Sequence, residues 1–142
     1  MIIGFTGTRQ GMTPRQHEIV GAMVRSSCTE AHHGDCIGAD EEFHGICVGA
    51  HVKVIIHPPE KRKWRAFCKG IVLPEKDYLI RNRDIVDACE LLIAAPKEQE
   101  EPAPTRGQGT WSTVRYARGK RRPCAIVKPS GAVEFVLGTL VP

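Results

Sequence analysis

The chain has 142 residues, of which 42% are hydrophobic and 25% charged, with a formal net charge of +4. That length and balance fit one globular domain, residues 1–142, able to bury a core without metal or disulfide staples. No apolar stretch is long enough to span a bilayer and no secretion-type leader precedes the first strand, so a cytoplasmic protein with no membrane partner is expected. The charge suits an anionic ligand but is far from a polybasic nucleic-acid arm.

In chain order, Met1 to Thr6 reads as a short buried-type strand. Thr13-Pro14 supplies an N-cap and a first-turn proline for a helix to about Ser26, with Ile19, Val20, Met23 and Val24 as its apolar stripe. Thr29 to His33 is a short strand, Gly34 to Gly38 a turn, and Ala39 to Ala50 a second helix. Val52 to His57 is a strand stopped by Pro58-Pro59.

Residues 58–78 form a long basic loop carrying Lys61, Arg62, Lys63, Trp64, Arg65 and Phe67. Loops of that length in compact domains are usually functional or disordered. Tyr78 to Ala88 reads as a helix and Glu90 to Ala95 as a buried strand. Residues 96–106 are an acidic, proline-bearing insertion expected to be mobile. A helix from about Thr110 to Gly119, a strand Pro123 to Lys128 and an added edge strand Val133 to Leu137 complete the pattern.

Strands alternating with helix-length crossovers imply an α/β fold, a Rossmann-like three-layer sandwich whose mainly parallel sheet has five or more strands. In such sheets ligands bind beyond the carboxyl ends of the strands, where strand order reverses.

The six cysteines, Cys28, Cys36, Cys47, Cys68, Cys89 and Cys124, form no C-x-x-C pair and read as reduced, small hydrophobes. Cys28, His32, His33, Cys36, His44 and Cys47 crowd one stretch but match no zinc spacing. His32 and His33, adjacent in a strand, should point to opposite faces, so no metal is expected.

Four segments carry candidate chemistry. Gly7, Thr8 and Arg9 offer a close backbone approach, a hydroxyl and a guanidinium that can grip phosphate. In His33-Gly34-Asp35-Cys36-Ile37-Gly38-Ala39-Asp40, Asp35 can accept from a sugar hydroxyl, while Asp40 suits a ligand and a helix first turn equally. Arg81 and Asn82 lie in the first turns of the Tyr78–Ala88 helix, where Arg81 and Asp84 share one face, so a solvated charged pair is the plain alternative. Gly107, Gly109 and Thr110 lead into another helix, where free amides and a hydroxyl suit an anion. Trp111 reads as packing.

Together, these four motifs in this order resemble the SLOG superfamily, which includes YpsA-like proteins, lonely-guy phosphoribohydrolases and DNA-processing protein A. The resemblance covers residues 1 to about 128. It implies a Rossmann-like fold binding nucleotides or their derivatives through Gly7, Thr8, Arg9, Gly34, Asp35, Gly38, Asp40, Arg81, Asn82, Gly107, Gly109 and Thr110. In the hydrolytic branch, a glutamate assists cleavage of an N-glycosidic bond; the matching position here is Thr113, which cannot act as a carboxylate. On resemblance alone a homodimer is expected.

The leading expectation is therefore binding of a nucleotide-derived phosphorylated molecule, as in a sensor, with no further cofactor and with catalysis left open. The enzyme alternative is a nucleoside-monophosphate N-glycosidase. Single-stranded DNA binding through the basic loop is a third reading, not favoured, because the loop is short of the charge density such binders show; a solvated loop with Trp64 and Phe67 tucked onto the core is expected instead.

Overall fold

A computed structural model of the chain describes residues 1–104 and 109–136. The apolar opening forms β1 (Ile2–Gly7), followed by α1 (Pro14–Ser27), β2 (Glu30–His33), α2 (Ala39–Gly49) and β3 (Lys53–Ile56). A 3-10 turn (Arg62–Trp64) and β4 (Ile71–Val72) follow, then α3 (Tyr78–Ala88), β5 (Leu91–Ala95), α4 (Gly109–Gly119), β6 (Cys124–Val127) and β7 (Val133–Val136). The seven strands form one sheet in the order β4-β3-β2-β1-β5-β6-β7. All neighbours pair in parallel except β7, which runs antiparallel to β6.

Alternation along the central strands builds two cores. Ile3 and Phe5 of β1, with Ile93 and Ala95 of β5, join Val20 and Val24 of α1 and Phe43 and Cys47 of α2. Leu92 and Ala94 of β5 point the other way, onto Ile85 and Val86 of α3 and Trp111 and Val114 of α4. Covered on both faces, β5 and β6 read as unbroken apolar runs rather than alternating ones. Phe5 stacks on Phe43 with centroids 4.3 Å apart, locking α2 to the sheet.

The α/β three-layer architecture expected from the sequence is the one observed. Two departures have physical causes. β4 lies inside the expected loop: Ile71 and Val72 pair with Ile55 and Ile56, but two exposed residues leave no periodic signal. The acidic insertion, expected to be mobile, is tied down through the described residues 96–104. Glu101 pairs with Arg115 at 3.0 Å and with Arg118 at 2.7 Å, Gln99 bonds Ser130, and Glu98 accepts from the Trp111 indole. No helix among the described residues is long and apolar enough to cross a membrane.

α1 starts as its sequence directs: Thr13 caps Gln16, and the Gln16 side chain returns the bond to the Thr13 amide. Gln16 does more than cap. Its amide Nε2, fully buried, donates to the carbonyls of Pro96 at 2.8 Å and Val127 at 2.9 Å, joining α1 to the exits of β5 and β6. Gln16→Ala strands both carbonyls and should lower unfolding free energy by about 2–4 kcal/mol, read by urea denaturation.

Candidate functional site

The order of the sheet sets the site. From β1 the chain steps outward through β2 to one edge, and from β5 outward to the other, so strand order reverses between β1 and β5. A cavity of about 730 Å³ opens at their carboxyl ends. Gly7, Thr8, Arg9, Gly34, Asp40, Arg81, Asn82, Gly109 and Thr110 all line it, so four distant segments meet at one place. Asp35 and Gly38 stand behind the lining, and Gly107 lies outside the described residues.

Arg81 is the centre of the arrangement. Asp77 caps α3 by accepting from the Leu79 amide, which aims the next turn of the helix at the ends of β2 and β3. Arg81 is only 6% exposed, and its Nη1 donates to the carbonyls of Gly34 and His57. Its Nη2 lies 3.8 Å from the Cys36 sulfur, and its Nε is buried without a partner. The sequence offered Asp84 as its pair; Asp84 instead holds Lys76 at 2.7 Å. Gly34 is glycine because a Cβ there would stand 2.5 Å from Arg81 Nη1.

Beside Arg81, Asp40 accepts from the amides of Gly34 at 3.2 Å and Cys36 at 3.3 Å. Burial pushes its carboxyl up to about 6, outweighing the Arg81 charge and the two amides that favour ionisation. The Cys36 thiol is pushed up to about 11 by burial and by Asp40, so it is a neutral wall of the cavity rather than a nucleophile.

Asp35 has a different task from the sugar contact expected of it. It is fully buried and left-handed at φ 58°, and both carboxylate oxygens are taken. One accepts from Arg65 Nε at 2.7 Å, the other from the Cys68 amide at 2.9 Å. Its carbonyl accepts from the Ala66 amide, and the Trp64 carbonyl accepts from the Ile37 amide. Asp35 thus fastens the basic loop beside the cavity. Gly38 caps α2 at φ 89°, where any Cβ would run into the Arg9 backbone, so it serves the corner rather than a ligand.

No protein-family model matches the sequence, and no curated protein matches it. Solved structures do resemble it. The molybdenum cofactor binding protein from the phototrophic bacterium Rippkaea orientalis aligns with TM-score 0.69 at 20% identity, over 89% of this chain and 76% of that one. The molybdenum cofactor carrier protein of Chlamydomonas reinhardtii gives 0.58 at 18%, over 88% and 74%. DNA processing protein A from Helicobacter pylori, whose structure concerns single-stranded DNA binding, gives 0.62 at 17%, over 89% of this chain but 64% of that one. The chain has the Rossmann-like α/β fold that these structures share.

At the position that the resemblance aligns with the hydrolytic branch's glutamate, Thr113 is buried and its hydroxyl donates back to the Gly109 carbonyl at 2.7 Å. A carboxylate does reach the start of α4 from elsewhere: Glu98, held by Trp111 Nε1 at 3.0 Å, lines the cavity. Sequence reading missed it, because Glu98 sits in a segment without periodicity. Trp64, which the sequence reading expected to tuck onto the core, is 39% exposed and in the lining.

His33 and His44 form a hydrogen-bonded pair beside Cys68. His33, His44 and Cys68 bring three donor atoms within 4.8 Å. The Asp35 amide donates to His33 Nδ1, which leaves the neutral ring its proton on Nε2, directed at His44 Nδ1 2.9 Å away. That proton occupies the direction a cation would need, so the set does not fit a metal. Burial pulls His33 down to about 3 and His57 to about 4, keeping both neutral.

Two outcomes follow. Asp35→Ala leaves Arg65 buried without its partner and should lower stability by about 3–5 kcal/mol, with new protease cleavage inside residues 58–78. Asp40 holds its proton more tightly folded than unfolded. Its contribution is therefore full in acid, below the ordinary carboxylate range, and is lost as pH rises through about 6. Carbon NMR of the Asp40 carboxyl should show that midpoint, and Asp40→Asn should remove that component of the pH dependence of stability.

Proposed function

We propose that the cavity binds a nucleotide-type phosphorylated small molecule, with its phosphate between the β1 exit and the start of α4. The observation that carries this reading is Arg81: nine-tenths buried, in the lining, its Nε without a partner and its other contacts carbonyls and a thiol. A cation kept dry without a bonded carboxylate suits an arriving anion. Arg9 adds an exposed guanidinium, and Gly109 and Thr110 present the positive end of the α4 dipole. The volume, about 730 Å³, is that of a small-molecule site. The protein acts in this reading as a carrier or sensor, and no side chain is assigned a bond-breaking role.

Isothermal titration against nucleoside mono-, di- and triphosphates tests the reading; silence across the panel from folded protein overturns it. Arg9→Ala should weaken a responding ligand by about ten- to a hundredfold without unfolding the protein, since Arg9 is exposed.

Single-stranded DNA binding remains a second reading because of one observation. Trp64 and Phe67 are 39% and 56% exposed, Trp64 with Arg9 and Lys63 over its ring and Phe67 with Arg65 over its own. A gel shift of oligo-dT at low salt separates the two. Binding of the strand with no response to mononucleotides would favour the second reading; absence of a shift would remove it.

A further inference from the structure

The phosphate reading leaves the rest of the ligand open, and the fixed aromatic at the cavity lip bears on it. Trp64 ends the 3-10 turn Arg62–Trp64 and lines the cavity with over a third of its surface in water. Covering the exposed part of its ring with a flat apolar group would remove apolar surface from water, a favourable step. The backbone is held at Trp64 itself and at the residue that follows. The Trp64 carbonyl accepts from the Ile37 amide at 2.9 Å, and the next residue, Arg65, is bolted to buried Asp35 at 2.7 Å. The loop therefore presents the ring at a set place rather than carrying it on a free flap.

Arg9 lies with its guanidinium 4.4 Å from the centre of the Trp64 ring. Arg9 is exposed, and a cation over an exposed ring is a weak contact, weaker than a nucleobase stacked on an aromatic side chain. A ligand bringing both a phosphate and a flat ring can take each partner separately: the phosphate draws Arg9 off, and the ring takes the face Arg9 leaves. A sugar phosphate can do only the first. Phe67, the other exposed aromatic of the loop, is not in the lining, and Trp111 is buried against Glu98.

We propose that Trp64 is the stacking platform for a planar heterocycle, so that the site takes ring-bearing monophosphates in preference to bare sugar phosphates. This rests on the phosphate-binding reading above. The test compares AMP, GMP, UMP and flavin mononucleotide with ribose 5-phosphate, by titration calorimetry and by tryptophan fluorescence, on the wild type, Trp64→Ala, Trp64→Phe and Tyr78→Ala. At least one ring-bearing probe should bind the wild type about ten- to a hundredfold more tightly than ribose 5-phosphate. Trp64→Ala should close that gap while changing ribose 5-phosphate affinity little, and Trp64→Phe should keep most of it. The ring-bearing ligand, and not ribose 5-phosphate, should quench the fluorescence component that Trp64→Phe removes.

Equal binding of ring-bearing and sugar phosphates, unchanged in Trp64→Ala, overturns the platform and leaves the phosphate site standing. So does a gap that closes in Tyr78→Ala and not in Trp64→Ala, since Tyr78 is another exposed aromatic of the lining. Failure of every probe on folded wild type overturns both readings together. Thermal melts of each variant identify any loss that is merely unfolding.

Discussion

A guanidinium buried at the end of a sheet organises everything around it. Arg81 reaches from α3 to the carbonyl that follows β2, at Gly34, and the one that follows β3, at His57. Those carbonyls have no further strand to pair with, and a fixed cation satisfies both while tying a helix across two strand exits. The consequences spread outward. Residue 34 must be glycine to admit the side chain, and Asp40 stands close enough for its ionisation to feel the charge. Because carbonyls rather than a carboxylate take its protons, the charge stays available to an incoming anion.

The second anchor works by the opposite logic. Asp35 is a buried carboxylate whose oxygens are both taken, by Arg65 and by the Cys68 amide. An isolated charge in that position would be prohibitive; a closed pair with additional amide bonds is tolerated and specifies one geometry. What it specifies is the path of a long basic loop that sequence composition alone would leave loose. Neighbours in the chain, Gly34 and Asp35 thus face different partners: one turns its carbonyl to the cavity's cation, the other turns its carboxylate to the loop. The left-handed backbone at Asp35 makes that division possible.

Much of the fold was legible because its signals are repeated along the chain. The apolar runs of β1, β5 and β6 and the Thr13-Pro14 start of α1 depend on local composition, and the parallel sheet follows from the helix-length crossovers between strands. The cavity was legible for a related reason: corners that follow parallel strands must lie at one edge, so Arg9, Arg81 and Thr110 had to converge if the strands were right. What escaped was whatever depends on direction rather than position. Nothing in a string of letters says that Asp35 looks backward to Arg65, that Gln16 reaches two distant carbonyls, or that Glu98 is drawn to the start of α4 by an indole. β4 escaped because two residues carry no period.

The electrostatics of the cavity narrow what kind of anion it suits. Arg9, Lys61, Arg81 and Lys97 line it, and so do Asp40, Glu60, Asp77 and Glu98. Four cations against four carboxylates give no strong net field, unlike a groove built for a polyanionic strand or a string of phosphates. Burial tempers that balance locally, since Asp40 holds its proton up to about 6. The positive potential is therefore concentrated at the strand exits, where Arg81 and the start of α4 lie, and the remaining carboxylates are left to accept from hydroxyl and amino groups. A molecule with one compact anionic end and a neutral body rich in donors matches that distribution better than one charged along its whole length.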